Sequence, residues 1–305
     1  MKVKLCLLLS LTIAIFVSLI PVNGLALAAD TSSGNSQASF QQGVKSFQKQ
    51  DYLQAIIDFS QAIQLNPQFA AAYSDRCLAY LEIDRLPSAI ADCTQALQLQ
   101  PNNIQAYLNR GLAYYRLGEY DRAIADNNQA IQLQPNEIRA YYNRGLAYSR
   151  IAAYDRAITD YNQVLQTAQL ETEQQAEIYT DRGLAYLMVT DIQSAIADFS
   201  QAIALDTHNT RAYYNRACAC HHLGHLHDAI QDFSAVLALN PQNAEAYVNR
   251  GLLYHRQGYH QNAIADLQTA CHCFHQQRNL IAYQQTQALL TKLQQLLATH
   301  EPVFA

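Results

Sequence analysis

Residues 104–137 read IQAYLNRGLAYYRLGEYDRAIADNNQAIQLQPNE, and the rest of the chain rewrites this stretch. Alignment on A-Y-x-N-R-G-x-A-Y gives copies starting at 36, 70, 104, 138, 176, 210 and 244. The period is 34 except before the copy at 176, where four residues are added. A fixed period of this size marks a stack of repeated supersecondary units, each too small to bury its apolar face alone.

Positions within a copy, counted from 1, carry packing roles. Position 4 is tyrosine in six copies, Tyr73 to Tyr247, and position 20 is alanine in all seven, Ala55 to Ala263. Position 8 is small: Gly43, Cys77, Gly111, Gly145, Gly183, Ala217 and Gly251. Such residues let two antiparallel helices approach closely while aromatic rings fill the space beside them. Pro67, Pro101, Pro135 and Pro241 at position 32 end the second helix, because proline has no N–H to continue it.

This pattern resembles the tetratricopeptide repeat (TPR) family, over residues 36–277. The resemblance implies an all-α helix–turn–helix solenoid, a right-handed superhelix of seven repeats: 36–69, 70–103, 104–137, 138–175, 176–209, 210–243 and 244–277. After the last copy, residues 278–300 carry leucines at helical spacing and read as a C-terminal capping helix.

Fifty per cent of the 305 residues are hydrophobic and 15% are charged, with a net charge of −5. No basic block exists, which argues against nucleic acid as a partner. Residues 1–28 read as a signal peptide, with Lys2 and Lys4 before an apolar run and Ala26-Leu27-Ala28 as the cleavage site. Loss of the two lysines takes the charge to −7. The protein is then exported, periplasmic or secreted; the alternative is an uncleaved N-terminal segment that anchors it, which would be its membrane contact. Residues 29–35 read as a flexible linker.

Position 7 is arginine in copies two to seven, and position 23 is aspartate in all seven. The first copy alone lacks the arginine, which suggests that each aspartate pairs with the arginine of the following copy. These pairs are read as register-setting rather than ligand-binding.

Position 6 forms a polar row: Asp75, Asn109, Asn143, Asp181, Asn215 and Asn249. In the family, positions 2, 5, 6, 9, 12 and 13 of the first helix face the concave groove. The row looks like the asparagine ladder of the O-linked N-acetylglucosamine transferase superhelix, whose amides hold peptide backbone. An amide offers a donor and an acceptor and so matches a peptide group of any sequence. Tyr115, Arg116, Arg139, Arg150 and Arg211 occupy other groove positions. The resemblance thus implies a scaffold that binds an extended or helical segment of another protein, in assembly or tethering of envelope proteins. The lysine and asparagine of a chaperone carboxylate clamp are missing from positions 5 and 9.

Copies six and seven are rich in histidine and cysteine. Cys218, His221, His222 and His255 are weak metal candidates, and zinc or copper handling is the alternative function. Cys-x-Cys on a helix points its sulfurs about 200° apart, so no metal or other cofactor is favoured. Cys220 equally reads as filler in the slot of an aromatic. Cys77 and Cys93, at positions 8 and 24 of one copy, read either as a disulfide or as two small core residues. No Gly-rich phosphate loop or singular acid–base constellation interrupts the repeats, so an enzyme is not expected.

Overall fold

The computed structural model describes residues 34–166 and 170–300 of the chain, and these form two compact units. The proposed leader and most of the proposed linker lie outside the described residues; Gly34 and Asn35 already belong to the first helix.

In the first unit, α1 (Gly34–Gln48) pairs with α2 (Tyr52–Leu65) and α3 (Ala70–Glu82) with α4 (Leu86–Leu99). α5 (Ile104–Leu117) pairs with α6 (Tyr120–Leu133), and α7 (Ile138–Arg150) with α8 (Tyr154–Leu165). In the second unit the pairs are α9 (Thr172–Met188) with α10 (Ile192–Leu205) and α11 (Thr210–Leu223) with α12 (Leu226–Leu239). α13 (Ala244–Arg256) and α14 (His260–Gln276) follow, and α15 (Leu280–His300) lies against α14, with Leu293 buried beside Ala263 and Leu267. All described regular structure is helical, the architecture of an all-α TPR solenoid. No described helix is long and apolar enough to cross a membrane.

Each copy turns through a left-handed residue at position 15. Glycine supplies it at Gly118, Gly224 and Gly258, whereas Gln50, Asp84, Ala152 and Thr190 hold it against their side chains. Asparagine or aspartate caps start many helices: Asn103, Asn209 and Asn243 each accept from the backbone N–H three residues on.

Inside a pair, position 8 lies against position 24. A Cβ on Gly183 would sit 2.7 Å from the Phe199 ring, and one on Gly145 would sit 2.8 Å from Tyr161. In the second copy, Cys77 and Cys93 occupy these two places and form a disulfide, with Cα atoms 5.5 Å apart. The glycine–aromatic contact is replaced there by a covalent link between the same helices.

The arginine–aspartate pairing differs from expectation. Six pairs form among the described residues, but each lies within one copy: Arg76–Asp92, Arg110–Asp126, Arg144–Asp160, Arg182–Asp198, Arg216–Asp232 and Arg250–Asp266. The guanidinium forks onto its own aspartate through Nε and Nη2, as at Arg144 with bonds of 2.8 and 2.7 Å. The remaining nitrogen, Nη1, reaches the preceding copy at position 25: Arg76 to Ser60, Arg110 to Thr94, Arg144 to Asn128, Arg216 to Ser200 and Arg250 to Ser234. Register between copies is therefore carried by the arginine and a neutral acceptor. In the first copy, Ser46 and Gln54 donate to Asp58 in place of an arginine.

The four added residues lengthen the first helix of the fifth copy. α8 is the shorter helix at 12 residues, and the insertion extends α9, which begins at Thr172. A capping box between Glu171 and Gln174 starts this extra turn.

Candidate functional site

Positions 2, 6, 9 and 13 of a first helix lie on one stripe, since residues three and four apart stack on a helix face. First helices of successive copies touch one another directly: α1 with α3, α3 with α5 and α5 with α7 in one unit, α9 with α11 in the other. The side chains at positions 2 and 6 therefore meet across copies and build a polar ladder in each unit.

In the first unit, the Glu137 carboxylate accepts from Arg139 Nε at 2.7 Å and Nη2 at 2.8 Å. Arg139 Nη1 donates to Gln105 Oε1 at 3.0 Å, and Gln105 Nε2 donates to Asn109 Oδ1 at 2.9 Å. There the chain of bonds stops. Asn109 Nδ2 is a buried donor with no partner, and Asp75 Oδ2, at the same position one copy earlier, is a buried carboxyl oxygen with none. Burial pushes the Asp75 carboxyl up to about 8, so it is largely neutral at pH 7. Asn143 is half-buried on the same row.

In the second unit, Arg211 Nη1 donates to Glu177 at 3.0 Å and Nη2 donates to Asp181. Burial raises the Glu177 carboxyl, and Arg211 pulls it back. Asn215 Nδ2 donates to the Arg211 carbonyl and Asn249 Nδ2 to the Tyr214 hydroxyl, both at 2.8 Å. The second ladder is more completely paired than the first.

These contacts correct several expectations. Arg139 and Arg211 are matched by carboxylates and do not offer free positive charge to an acidic ligand. Arg116 braces the turn of the previous copy, donating to the Leu81 carbonyl at 2.7 Å, while its Nε is buried without a partner. Arg150 donates to the Tyr120 hydroxyl and stacks on that ring. Tyr115 is buried in a cluster with Ala123 and Ala147 and packs edge-on to Tyr120, so it is a core residue. Gln105, Glu137, Glu177 and Tyr214 are ladder members that the pattern of asparagines did not single out.

The four metal candidates do not converge. Cys218 is buried, His222 is exposed, and His221 is half-buried, its imidazole pushed down by burial and by Arg256 and His222. His255 instead faces His260, Nδ1 to Nδ1 at 3.0 Å.

Family comparison agrees with this architecture. Tetratricopeptide repeat families match residues 104–137, 138–169 and 180–233, and a TPR repeat family matches 78–118 and 218–258, together more than half of the chain. The chain belongs to the tetratricopeptide repeat family. Among solved structures, MamA is 25% identical over 58% of this TPR chain and 94% of its own, with a TM-score of 0.52. A TPR protein from Parabacteroides merdae ATCC 43184 is 22% identical over 84% of this chain and 100% of its own, at 0.61. YrrB, described as a TPR protein with an unusual peptide-binding site, is 21% identical over 64% and 97%, at 0.53. No curated protein matches the chain.

Proposed function

We propose that this TPR protein is a non-catalytic interaction scaffold that holds a segment of another protein on its first-helix ladders, chiefly the one in residues 34–166. The observation that carries this reading is the broken end of that ladder. Asn109 Nδ2 is a buried donor and Asp75 Oδ2 a buried carboxyl oxygen, one copy apart, that the chain itself leaves unpaired. Each such group costs about 1–3 kcal/mol. A peptide group carries both complements, and an outward rotation of the two side chains onto a bound backbone would recover that cost. The neutral state of Asp75 and the matched arginines favour a ligand recognised through its backbone rather than its charge.

Capture from native extract tests this. The Asn109→Ala/Asn143→Ala variant should lose its partner at least about tenfold, the loss of roughly one hydrogen bond's free energy or more. Asn215→Ala/Asn249→Ala, in the more completely paired ladder, should lose less. Equal capture by the parent and the first variant, with both folded by circular dichroism, would refute the reading.

We also infer export. The support is the signal-like residues 1–28, together with the Cys77–Cys93 disulfide, a bond that persists in oxidising compartments. A role in assembling or tethering envelope proteins follows from the two readings together. Mass spectrometry of the captured protein reads the N-terminus: Ala29 supports cleavage, and Met1 would mean an uncleaved anchor or no export.

A further inference from the structure

The repeat provides its own control, because seven copies of one turn show which residues packing requires there. Position 11, near the end of the first helix, is tyrosine in five copies: Tyr80, Tyr114, Tyr148, Tyr186 and Tyr254. In the third and fourth copies an arginine at position 19 covers that ring, Arg122 on Tyr114 at 5.4 Å and Arg156 on Tyr148 at 5.6 Å. The sixth copy changes both partners and a third residue between them. It carries Cys220 at position 11, His225 at position 16 and Asp228 at position 19. No other copy combines a thiol, an imidazole and a carboxylate at these places.

The local fold gathers the three donors. Gly224 turns the chain with φ +83°, and the His225 N–H closes the turn on the Cys220 carbonyl at 2.9 Å. His225 is the N-cap of α12 but makes no side-chain capping bond, which leaves the imidazole available. One ligand atom from each of Cys220, His225 and Asp228 lies within 4.8 Å of the others. Tetrahedral zinc with bonds of about 2.0–2.3 Å needs donors about 3.3–3.7 Å apart, within reach of small side-chain rotations.

We propose that the turn between α11 and α12 binds one zinc-type divalent ion through Cys220 Sγ, a ring nitrogen of His225 and the Asp228 carboxylate, with water in the fourth position. Cys220 is buried while His225 and Asp228 are exposed, so the ion enters from solvent and meets the thiol last. Sulfur, imidazole and one carboxylate are the donor set that suits zinc over calcium or magnesium. Binding transfers the Cys220 thiol proton to solvent; the thiolate and the carboxylate then balance the 2+ charge. The neighbouring Asp232 is already committed to Arg216 and stays outside the site.

Cobalt(II) titration of the purified full chain, with free thiols kept reduced, reads the site directly. One equivalent should produce a thiolate-to-cobalt charge-transfer band with tetrahedral ligand-field bands, and zinc should remove both. Cys220→Tyr installs the residue that five other copies carry at position 11, and the band should vanish. Cys220→Ser gives the same readout should the tyrosine variant misfold. His225→Ala and Asp228→Asn should each weaken binding at least about tenfold. No band in the parent, or a band that persists in both Cys220 variants through Cys218, Cys271 or Cys273, overturns the proposal.

Discussion

Asp75 is the one acidic side chain on the position 6 row of the first unit, where Asn109 and Asn143 follow it. Its carboxyl is raised from 3.8 to about 8 by burial. Below pH 3.8 the folded and unfolded chains are both protonated at this site, and Asp75 is then no burden. Between pH 4 and 8 the unfolded chain releases the proton and the folded chain keeps it. Stability must therefore fall with rising pH across that window, by at most about 1.4 kcal/mol per unit. Asp75→Asn removes the titration and installs the residue its neighbours use. Urea unfolding should show the variant more stable than the parent at pH 7, with the gap closing toward pH 4. Parallel curves across that range would mean that Asp75 is solvated and ionised in the folded protein.

A pair of helices is the smallest unit whose packing the sequence dictates. Alanine at position 20 and glycine at position 8 were readable as close approach, and at Gly43, Gly145 and Gly183 the glycine faces an aromatic ring at position 24. This predicts a sign. In a solvent-facing helix, Gly→Ala stabilises by about 1 kcal/mol. At Gly183 the added Cβ would press on Phe199 from 2.7 Å, and the ring is fully buried. Gly183→Ala should instead destabilise by about 1–3 kcal/mol, visible as a lower urea midpoint; an unchanged or raised midpoint would show that the pair can spread. The choice of aspartate for each arginine was not readable, and the reason is arithmetic. Asp92 lies 16 residues after Arg76 and 18 before Arg110, so a 34-residue period presents both partners equally. The geometry of the fork decides, and it selects the aspartate on the helix paired with the arginine's own. The same limit hid the Cys220, His225 and Asp228 group. Angles along one helix separate Cys218 from Cys220, but the close neighbours of Cys220 arrive from beyond the turn at Gly224.

Across the molecule, a chain of nearest-neighbour units distributes stability locally, since each copy contacts little beyond the next. The asparagine row announced a ladder but not which rungs were free, because Gln105, Glu137 and Tyr214 complete the bonding from places that carry no repeat signature. The disulfide gives this locality a test. Cys77 and Cys93 are 16 residues apart, and a loop of that size stabilises by about 3 kcal/mol through the unfolded state. In a single cooperative globule, losing the bond would weaken every helix alike. In a repeat array the loss stays near the second copy and fades along the stack. Native-state hydrogen exchange of a Cys77→Ala/Cys93→Ser variant should therefore show the greatest loss of protection in α3 and α4, a smaller one in α2 and α5, and little change in α11 to α14. A uniform loss over both units would mean that the whole chain unfolds as one. Confinement to the first unit would tie the disulfide to the helices that carry the unpaired rungs at Asp75 and Asn109, and so to a ladder held in register in advance of its ligand.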